Sequence, residues 1–124
     1  MNKINTQPDF TDSRGEITDL LENESIDAIT KITFTEGSVR ANHYHKETIQ
    51  WNYVIKGTVL LRTQKGDAPV EEIEMNEGDF IATEPNEAHA LKAITDATIL
   101  VFTKGPRGGK EYESDTFRLD VSLF

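Results

Sequence analysis

The sequence predicts an all-β fold, either a sandwich or a closed barrel. Short segments rich in Val, Ile, Thr, Phe and Tyr recur about every ten residues, which is typical of strands. Turn-forming residues separate them, as at Lys56-Gly57 and at Asn76-Glu77-Gly78-Asp79. A chain with about eight to ten such strands favours an architecture in which closure removes exposed edges.

The predicted elements follow one another along almost the whole chain. In order, strands are predicted near residues 15–21, 27–35, 39–44, 49–55, 58–64, 70–75, 79–82, 88–93 and 98–103. Only residues 17–25 offer a possible helical turn. Residues 104–110, with the sequence KGPRGGK, predict a loop after a barrel core of about residues 15–103. Residues 104–124 would then form this loop and a C-terminal strand or arm.

Length and composition exclude several classes of protein. A chain of 124 residues suffices for one domain with its own core, so we expect a single domain over residues 1–124. There is no apolar stretch of about 18 residues and no signal peptide, so we expect a cytoplasmic protein without a membrane partner. The absence of cysteine excludes disulfides and thiolate chemistry. A net charge of −9 without clustered Lys and Arg argues against nucleic-acid binding.

Residues 37–57, GSVRANHYHKETIQWNYVIKG, carry the strongest functional signal. His43 and His45 alternate with Tyr44 on a predicted strand, so the two imidazoles face the same side. His89 lies on a later strand and could join them around a divalent ion or a small ligand. The alternative is a histidine that is hydrogen-bonded within the core. Burying three imidazoles without a shared partner is costly, which favours a site.

The spacing of these residues resembles that of the cupin family. The first cupin motif is Gly, five residues, His-x-His, three or four residues, Glu, six residues and Gly. Its positions are filled here by Gly37, His43, His45, Gln50 and Gly57. Gly78 and His89 keep the spacing of the second motif, with Asn86 where a second glycine is usual. The resemblance implies a cupin jelly roll, a double-stranded β-helix barrel.

The same resemblance implies a set of metal ligands. They are His43, His45, Gln50 and His89. Because glutamine offers a neutral oxygen in place of a carboxylate, a bound divalent ion such as Mn, Ni, Zn or Fe keeps its full charge. The site would be more Lewis-acidic and weaker than the usual cupin site. The alternative is a metal-free pocket in which the Gln50 amide hydrogen-bonds the histidines.

A narrower resemblance points to cupins of the nucleotide-sugar pathways. It rests on residues 12–15 (DSRG), 40–46 (RANHYHK) and 105–119. These cupins include dTDP-4-dehydrorhamnose 3,5-epimerases, dTDP-sugar 3,4-ketoisomerases and cupin domains of capsule-synthesis enzymes. The epimerases carry an Arg-x-x-His arrangement, matched by Arg40 and His43, in which the histidine removes a proton next to a ketone. The resemblance implies catalytic roles for His43 and His45.

Several side chains are candidates for binding the substrate. Arg40 could grip a diphosphate, with Arg14, Lys46 and Arg62 as the other basic candidates. Arg40 lies an odd number of positions from His43, so a β-bulge near Ala41-Asn42 is needed to bring both to one pocket. Asn52 should face the same interior as Gln50. Tyr53 completes the predicted substrate-binding set of Arg40, Asn52 and Tyr53. The epimerases that the chain resembles also use a tyrosine as an acid, and Tyr53 and Tyr44 are the candidates for this role.

Three functions remain open at this point. The favoured one is an isomerase or epimerase acting on a nucleotide-linked sugar, or a related carbonyl compound, in polysaccharide biosynthesis. The alternatives are a metal-dependent dioxygenase, decarboxylase or lyase acting on a small organic acid, and a sugar- or metabolite-binding module without turnover. The fold does not choose among them. We expect a small, carbohydrate-derived substrate and a homodimer.

Overall fold

The structure is a computed structural model that describes residues 3–106 and 114–124. In these residues the chain forms the strands β1 (Ile4–Asn5), β2 (Phe10–Asp12), β3 (Gly15–Ile17), β4 (Ala28–Phe34), β5 (Val39–Tyr44), β6 (Ile49–Lys56), β7 (Val59–Lys65), β8 (Glu71–Met75), β9 (Asp79–Thr83), β10 (Glu87–Ala93), β11 (Ala97–Lys104) and β12 (Phe117–Arg118). The all-β prediction is confirmed. Each predicted strand is present, although the first ends at Ile17 and not at residue 21.

The differences from the sequence prediction lie near the two ends of the chain. No helical turn forms over residues 18–25, where Asn23 has a φ of 59°. This left-handed conformation is incompatible with a right-handed helix. The short strands β1 and β2 are not predicted, because two or three residues carry too little periodicity. Residues 107–110 of the predicted loop lie outside the described residues.

The strands form two five-stranded antiparallel sheets. The first has the order β1-β9-β6-β11-β4 and the second the order β12-β5-β10-β7-β8, while β2 and β3 form a separate hairpin. Buried residues of both sheets belong to one apolar cluster, so the sheets face each other, in agreement with the jelly roll that the cupin resemblance implies. In the described part of the chain there is no apolar helix of membrane-spanning length.

The interior of the barrel has an apolar end and a polar end. The apolar end consists of Phe34, Val54, Val59, Leu61, Met75, Ile81, Leu91, Ala93, Ala97, Ile99 and Val101. Farther along the same strands the inward positions become polar. In the first sheet these are the neighbours Thr83, Gln50 and Thr103, and in the second His43, His89 and Thr63. All six are at most 9% exposed. Apolar burial stabilises one half, and the other half holds desolvated polar groups that require partners.

The structure explains why the first motif ends in a glycine. Gly57 lies between β6 and β7 with a φ of 86°. A Cβ atom at this position would collide with the carbonyl oxygen of Asp96 and with the Thr95 side chain. Only glycine fits both the left-handed conformation and the close approach of the neighbouring backbone.

Candidate functional site

Three histidines meet at the polar end of the barrel, as the sequence predicts. The ring centroids of His43 and His45 lie 4.8 Å apart, those of His43 and His89 4.7 Å, and those of His45 and His89 5.4 Å. One nitrogen from each ring lies within 4.8 Å of the others. His43 stands directly opposite His89 in the ladder between β5 and β10. All three side chains are buried.

Main-chain carbonyl groups orient two of these rings. Nδ1 of His45 lies 2.7 Å from the carbonyl oxygen of Asp115, and Nδ1 of His89 lies 3.0 Å from that of Glu87. A carbonyl oxygen only accepts hydrogen bonds, so each of these Nδ1 atoms carries a proton, and Nε2 is the nitrogen of each ring that can offer a lone pair. Histidines that bind metals are commonly held by such carbonyl contacts.

His89 stays neutral at ordinary pH. Burial lowers the pKa of its imidazole to about 4, and the nearby His45 lowers it as well, against the raising effect of the Glu87 carbonyl. A histidine with so low a pKa is unprotonated at pH 7. It therefore offers a lone pair rather than a positive charge to whatever occupies the site.

Asp115 fixes the turn that follows His45. Its carboxylate accepts hydrogen bonds from the N–H of Lys46 at 2.9 Å, the N–H of Glu47 at 3.1 Å and the hydroxyl of Thr48 at 2.7 Å. Burial raises the pKa of Asp115, but these hydrogen bonds outweigh it and hold the pKa below its usual value. The sequence gives no sign of this residue, because it lies 70 positions from His45 and holds it through a main-chain carbonyl that any residue carries.

A β-bulge in β5 places Arg40 and His43 at one cavity. Ala41 and Asn42 have φ values of 72° and 57°, and the pairing with β10 shifts next to His89. This is the bulge that the odd spacing of Arg40 and His43 requires, and its prediction is confirmed. Without it, alternation along a regular strand would turn Arg40 and His43 to opposite faces.

The cavity has a volume of about 250 Å³. It is lined by Ile32, Arg40, Ala41, His43, Gln50, Asn52, His89, Leu91 and Val101. The amide of Gln50 donates to the hydroxyl of Thr103 at 3.3 Å, and that of Asn52 donates to the carbonyl oxygen of Ile81 at 3.2 Å. These contacts fix the orientation of both amides, so the cavity has polar groups in defined positions on an otherwise apolar wall.

Tyr53, predicted as a substrate-binding residue, is not among the residues that line this cavity. It stands opposite Leu100 and Phe80 on the neighbouring strands, on the outer face of the first sheet. Because successive strand residues alternate, the inward orientation of Asn52 turns Tyr53 outward. Tyr44 also points away and stacks on Phe117, with ring centroids 5.3 Å apart.

Arg40 is the basic candidate that the structure places at the cavity. Its guanidinium group lies 5.5 Å from the centre of the Phe34 ring and donates to the carbonyl oxygen of Thr33 at 3.3 Å. Arg40 also lines a second hollow, of about 360 Å³, together with Lys56. The other basic candidates do not line the cavity and have partners elsewhere. Arg14 pairs with Asp12, Lys46 lies over Phe117 and Arg62 pairs with Glu72.

Solved structures with the same fold include sugar-modifying proteins. A 3,4-ketoisomerase from Helicobacter canadensis has a TM-score of 0.80 and 21% identity, over 95% of this chain and 90% of that one. QdtA, a sugar 3,4-ketoisomerase from Thermoanaerobacterium thermosaccharolyticum in complex with TDP, has a TM-score of 0.79 and 21% identity, over 96% and 88%. A dTDP-4-dehydrorhamnose 3,5-epimerase from Sulfolobus tokodaii has a TM-score of 0.72 and 20% identity, over 86% and 70%.

The family assignment comes from the sequence of the barrel itself. No curated protein matches the chain. The family model described as "Cupin domain" matches residues 30–103, which is more than half of the sequence. The match runs from β4 to β11 and includes all three histidines, the bulge, and the glycines of the two cupin motifs, Gly37, Gly57 and Gly78. This chain belongs to the cupin family.

Proposed function

We propose that this cupin is an isomerase or epimerase that acts on a nucleotide-linked sugar, or a related carbonyl compound, in polysaccharide biosynthesis. The observation that carries the proposal is the bulge, which brings a cation, Arg40, and a base, His43, to one cavity. The similar structures support it. One of them is a QdtA mutant in complex with TDP-4-keto-6-deoxyglucose.

In the proposed reaction His43 is the base. Its imidazole takes the proton from the carbon next to the ketone; the electron pair of that C–H bond forms a C=C bond, and the carbonyl π pair moves to the oxygen to give an enolate. Return of a proton to the same carbon from the opposite face gives the epimer. Transfer of the neighbouring hydroxyl proton to the enolate oxygen, followed by protonation of the former carbonyl carbon, gives the isomeric ketone. An unprotonated imidazole is a common general base for such a transfer. The second N–H of the Asn52 amide is available to donate to the enolate oxygen.

The size of the cavity assigns different places to the two parts of the substrate. Its volume of about 250 Å³ lies below the roughly 300–1,000 Å³ of sites for drug-sized ligands. The sugar ring would occupy this cavity, and the nucleotide would lie outside it. Arg40 faces both the cavity and the second hollow, where Lys56 adds a positive charge, so the diphosphate is proposed to bind there.

Proton exchange with solvent tests the proposed reaction directly. Incubation with dTDP-4-keto-6-deoxyglucose in D2O should replace the hydrogen next to the ketone with deuterium, observed by NMR even if little product accumulates. His43→Asn should slow this exchange by about a hundredfold or more, because it removes the base. Tyr44→Phe is the matched control and should exchange normally, since Tyr44 faces away from the cavity.

Two results would contradict the proposed activity. One is the absence of exchange with the wild-type protein, and the other is normal exchange in the His43→Asn variant. Binding of the nucleotide sugar without any exchange would instead indicate a binding module.

We also propose that His43, His45, Gln50 and His89 bind a divalent metal ion, such as Mn, Ni, Zn or Fe. Three ligand nitrogens within 4.8 Å of one another, with carbonyl-bound Nδ1 atoms on two rings, are a suitable donor set for such ions. A bound ion would supply Lewis acidity. His43 is then a ligand and is not available as a base, so the metal-loaded and metal-free proteins would differ in their chemistry.

Metal analysis of protein purified without a polyhistidine tag tests this second proposal. We expect about one ion per chain, lost on chelation and restored on addition of the metal, and lost in His89→Ala. Sub-stoichiometric metal that does not bind again would contradict it. An activity on a small organic acid that disappears on chelation and returns with one particular metal would favour a metal-dependent dioxygenase, decarboxylase or lyase, the function that the three-histidine cluster itself suggests.

The homodimer expected from the sequence is a further proposal, and the first sheet offers a surface for it. On the outer face of this sheet the apolar side chains of Ile4, Ile29, Tyr53, Leu100 and Phe102 are partly or largely exposed, whereas Trp51 and Phe80 on the same face are buried. Ile4 is 58% and Ile29 64% exposed. Because contiguous apolar surface commonly marks an interface, we propose that a second copy of the chain covers this face.

A further inference from the structure

The bulge that joins Arg40 and His43 is a strained piece of backbone. Ala41 and Asn42 are adjacent, and both have left-handed φ values, of 72° and 57°. This region costs an ordinary L-residue about 1–2 kcal/mol, although asparagine tolerates it better than alanine. Such a conformation persists at a functional site only where neighbouring contacts hold it in place.

Residues 119–124 supply contacts of this kind. The N–H of Leu119 donates to the carbonyl oxygen of Asn42 at 3.0 Å, and the N–H of Leu123 donates to the side-chain oxygen of Asn42 at 2.8 Å. Asn42 thus binds the segment through its main chain and its side chain. Both hydrogen bonds require the orientation that Asn42 has within the bulge.

Arg62 on β7 holds the far end of the same segment. Its guanidinium group donates to the carbonyl oxygen of Leu123 at 2.7 Å and lies 4.1 Å from the centre of the Phe124 ring. Arg62 and the bulge flank Ala90, which is paired with Arg62 on one side and with Ala41 on the other. Ala90 alternates outward from His89 and is nevertheless fully buried. Segment 119–124 contacts Arg62 on one side of Ala90 and Asn42 on the other.

We propose that Asn42 is a positioning residue for the active site. Docking of segment 119–124 on Asn42, secured by Arg62, holds the bulge in the geometry that lets Arg40 and His43 act on one ligand. No residue of the segment lines the cavity, so its effect passes through the bulge. The identity of the ligand rests on the proposed function, whereas the effect on backbone geometry does not.

Three variants test the proposal by two independent measurements. Asn42→Gly keeps a residue that tolerates the left-handed conformation and removes the side-chain acceptor, Arg62→Ala releases the far end of the segment, and the third variant combines both changes. Amide hydrogen exchange of residues 40–43 should be about tenfold faster in each single variant, the effect of losing one hydrogen bond. The affinity for dTDP should fall about fivefold to tenfold, with the melting temperature changed little.

The double variant separates positioning from general weakening. If both residues act through the same docked segment, the double variant should be no worse than the more affected single variant. Two matched controls should behave as the wild type. Glu72→Gln removes the ion pair of Arg62, at 2.7 Å, and leaves its contacts with the segment. Val121→Ser changes a segment residue that is 82% exposed.

Three outcomes would overturn the proposal. They are unchanged exchange of residues 40–43 in both single variants, additive effects in the double variant, and faster exchange spread over the whole barrel. If the wild-type protein fails to bind dTDP, the proposed substrate class is wrong, and the exchange data still decide whether the segment positions the bulge.

Discussion

Among the described residues that line the cavity, Arg40 has the only permanently charged side chain. Gln50 is neutral where the cupin motif has a glutamate, and His89 is neutral because burial lowers its pKa to about 4. The cavity therefore attracts anions although the chain has a net charge of −9. A diphosphate or a developing enolate suits such a site better than a cationic substrate does.

Replacing Arg40 should weaken binding of a diphosphate without weakening the fold. Arg40→Gln removes the charged donor at the cavity, so the affinity for dTDP should fall by about tenfold or more, corresponding to a loss of at least ~1.5 kcal/mol. Isothermal titration calorimetry measures this change. Lys46→Gln serves as the control, because Lys46 lies over Phe117 and does not line the cavity. Equal losses in both variants would show that Arg40 has no special role.

Protonation of Asp79 should account for part of the loss of folding stability at acidic pH. Burial raises the pKa of Asp79, but hydrogen bonds from the N–H of Asn76, the amide of Asn5 and the ammonium group of Lys3 hold it below its usual value. The stabilisation by the ionised form is present above the ordinary aspartate pKa of about 3.9 and is lost as pH falls through the lower folded pKa.

The variant Asp79→Asn should therefore be less stable at pH 7 and lose less stability on acidification than the wild type. Urea unfolding between pH 7 and pH 3 measures both effects. Parallel pH curves for the two proteins would contradict this role of Asp79.

At the scale of single elements, the sequence predicts the bounds of the strands that carry the site. It does not predict the long-range contacts that hold these strands in place. The bounds of β5 agree with the prediction for residues 39–44, because turn residues mark both ends. The bulge is predictable from the spacing of Arg40 and His43, whereas the pairing of Ile4 with Phe80 and the contact of Asp115 with His45 are not. These contacts join distant parts of the chain through backbone groups, which leave no residue pattern.

The turn before β10 explains a departure from the second cupin motif. Asn86, at the position of the usual glycine, has a φ of 62°, and its N–H donates to the carbonyl oxygen of His45 at 2.6 Å. Asparagine is the residue that best replaces glycine in the left-handed conformation. The turn thus keeps the geometry of the motif and fastens β10 to the end of β5.

The effect of a substitution at Asn86 on stability should depend on whether the new residue tolerates a positive φ, and not on its hydrophobicity. Asn86→Gly should leave the free energy of unfolding nearly unchanged, whereas Asn86→Val should lower it by about 1–2 kcal/mol, because a β-branched residue is strained at positive φ. Asn86 is exposed, so neither change alters core packing. Chemical denaturation measures both variants, and a valine variant as stable as the glycine variant would contradict the explanation.

At the scale of the whole molecule, the two faces of the first sheet have different roles. Its inner face contributes Gln50 and Asn52 to the cavity, and its outer face carries the apolar set proposed to bind a second copy. Tyr53 belongs to the outer face and so does not line the cavity together with Asn52. The alternation of β6 thus separates ligand contacts from the proposed subunit contacts by a single residue step.

A charge on the outer face should disrupt the proposed homodimer. Ile29 is 64% exposed and lies beside Phe102, so Ile29→Glu should fold normally as a monomer and weaken association. Sedimentation velocity over a range of concentrations measures this change. Val70→Glu, at a 48% exposed position next to the second sheet, is the control. Wild-type protein that remains monomeric at high concentration would contradict the interface.

The division of the barrel interior has a consequence for how this scaffold can diversify. The side chains that give it thermodynamic stability cluster around Leu61 and Ile99, and those that would meet a ligand cluster around His43 and Gln50. Substitutions in the second group change recognition at little risk to folding. A library randomised at Gln50 and Asn52, which lie outside the apolar cluster, should therefore yield a high proportion of folded proteins with altered ligand preferences.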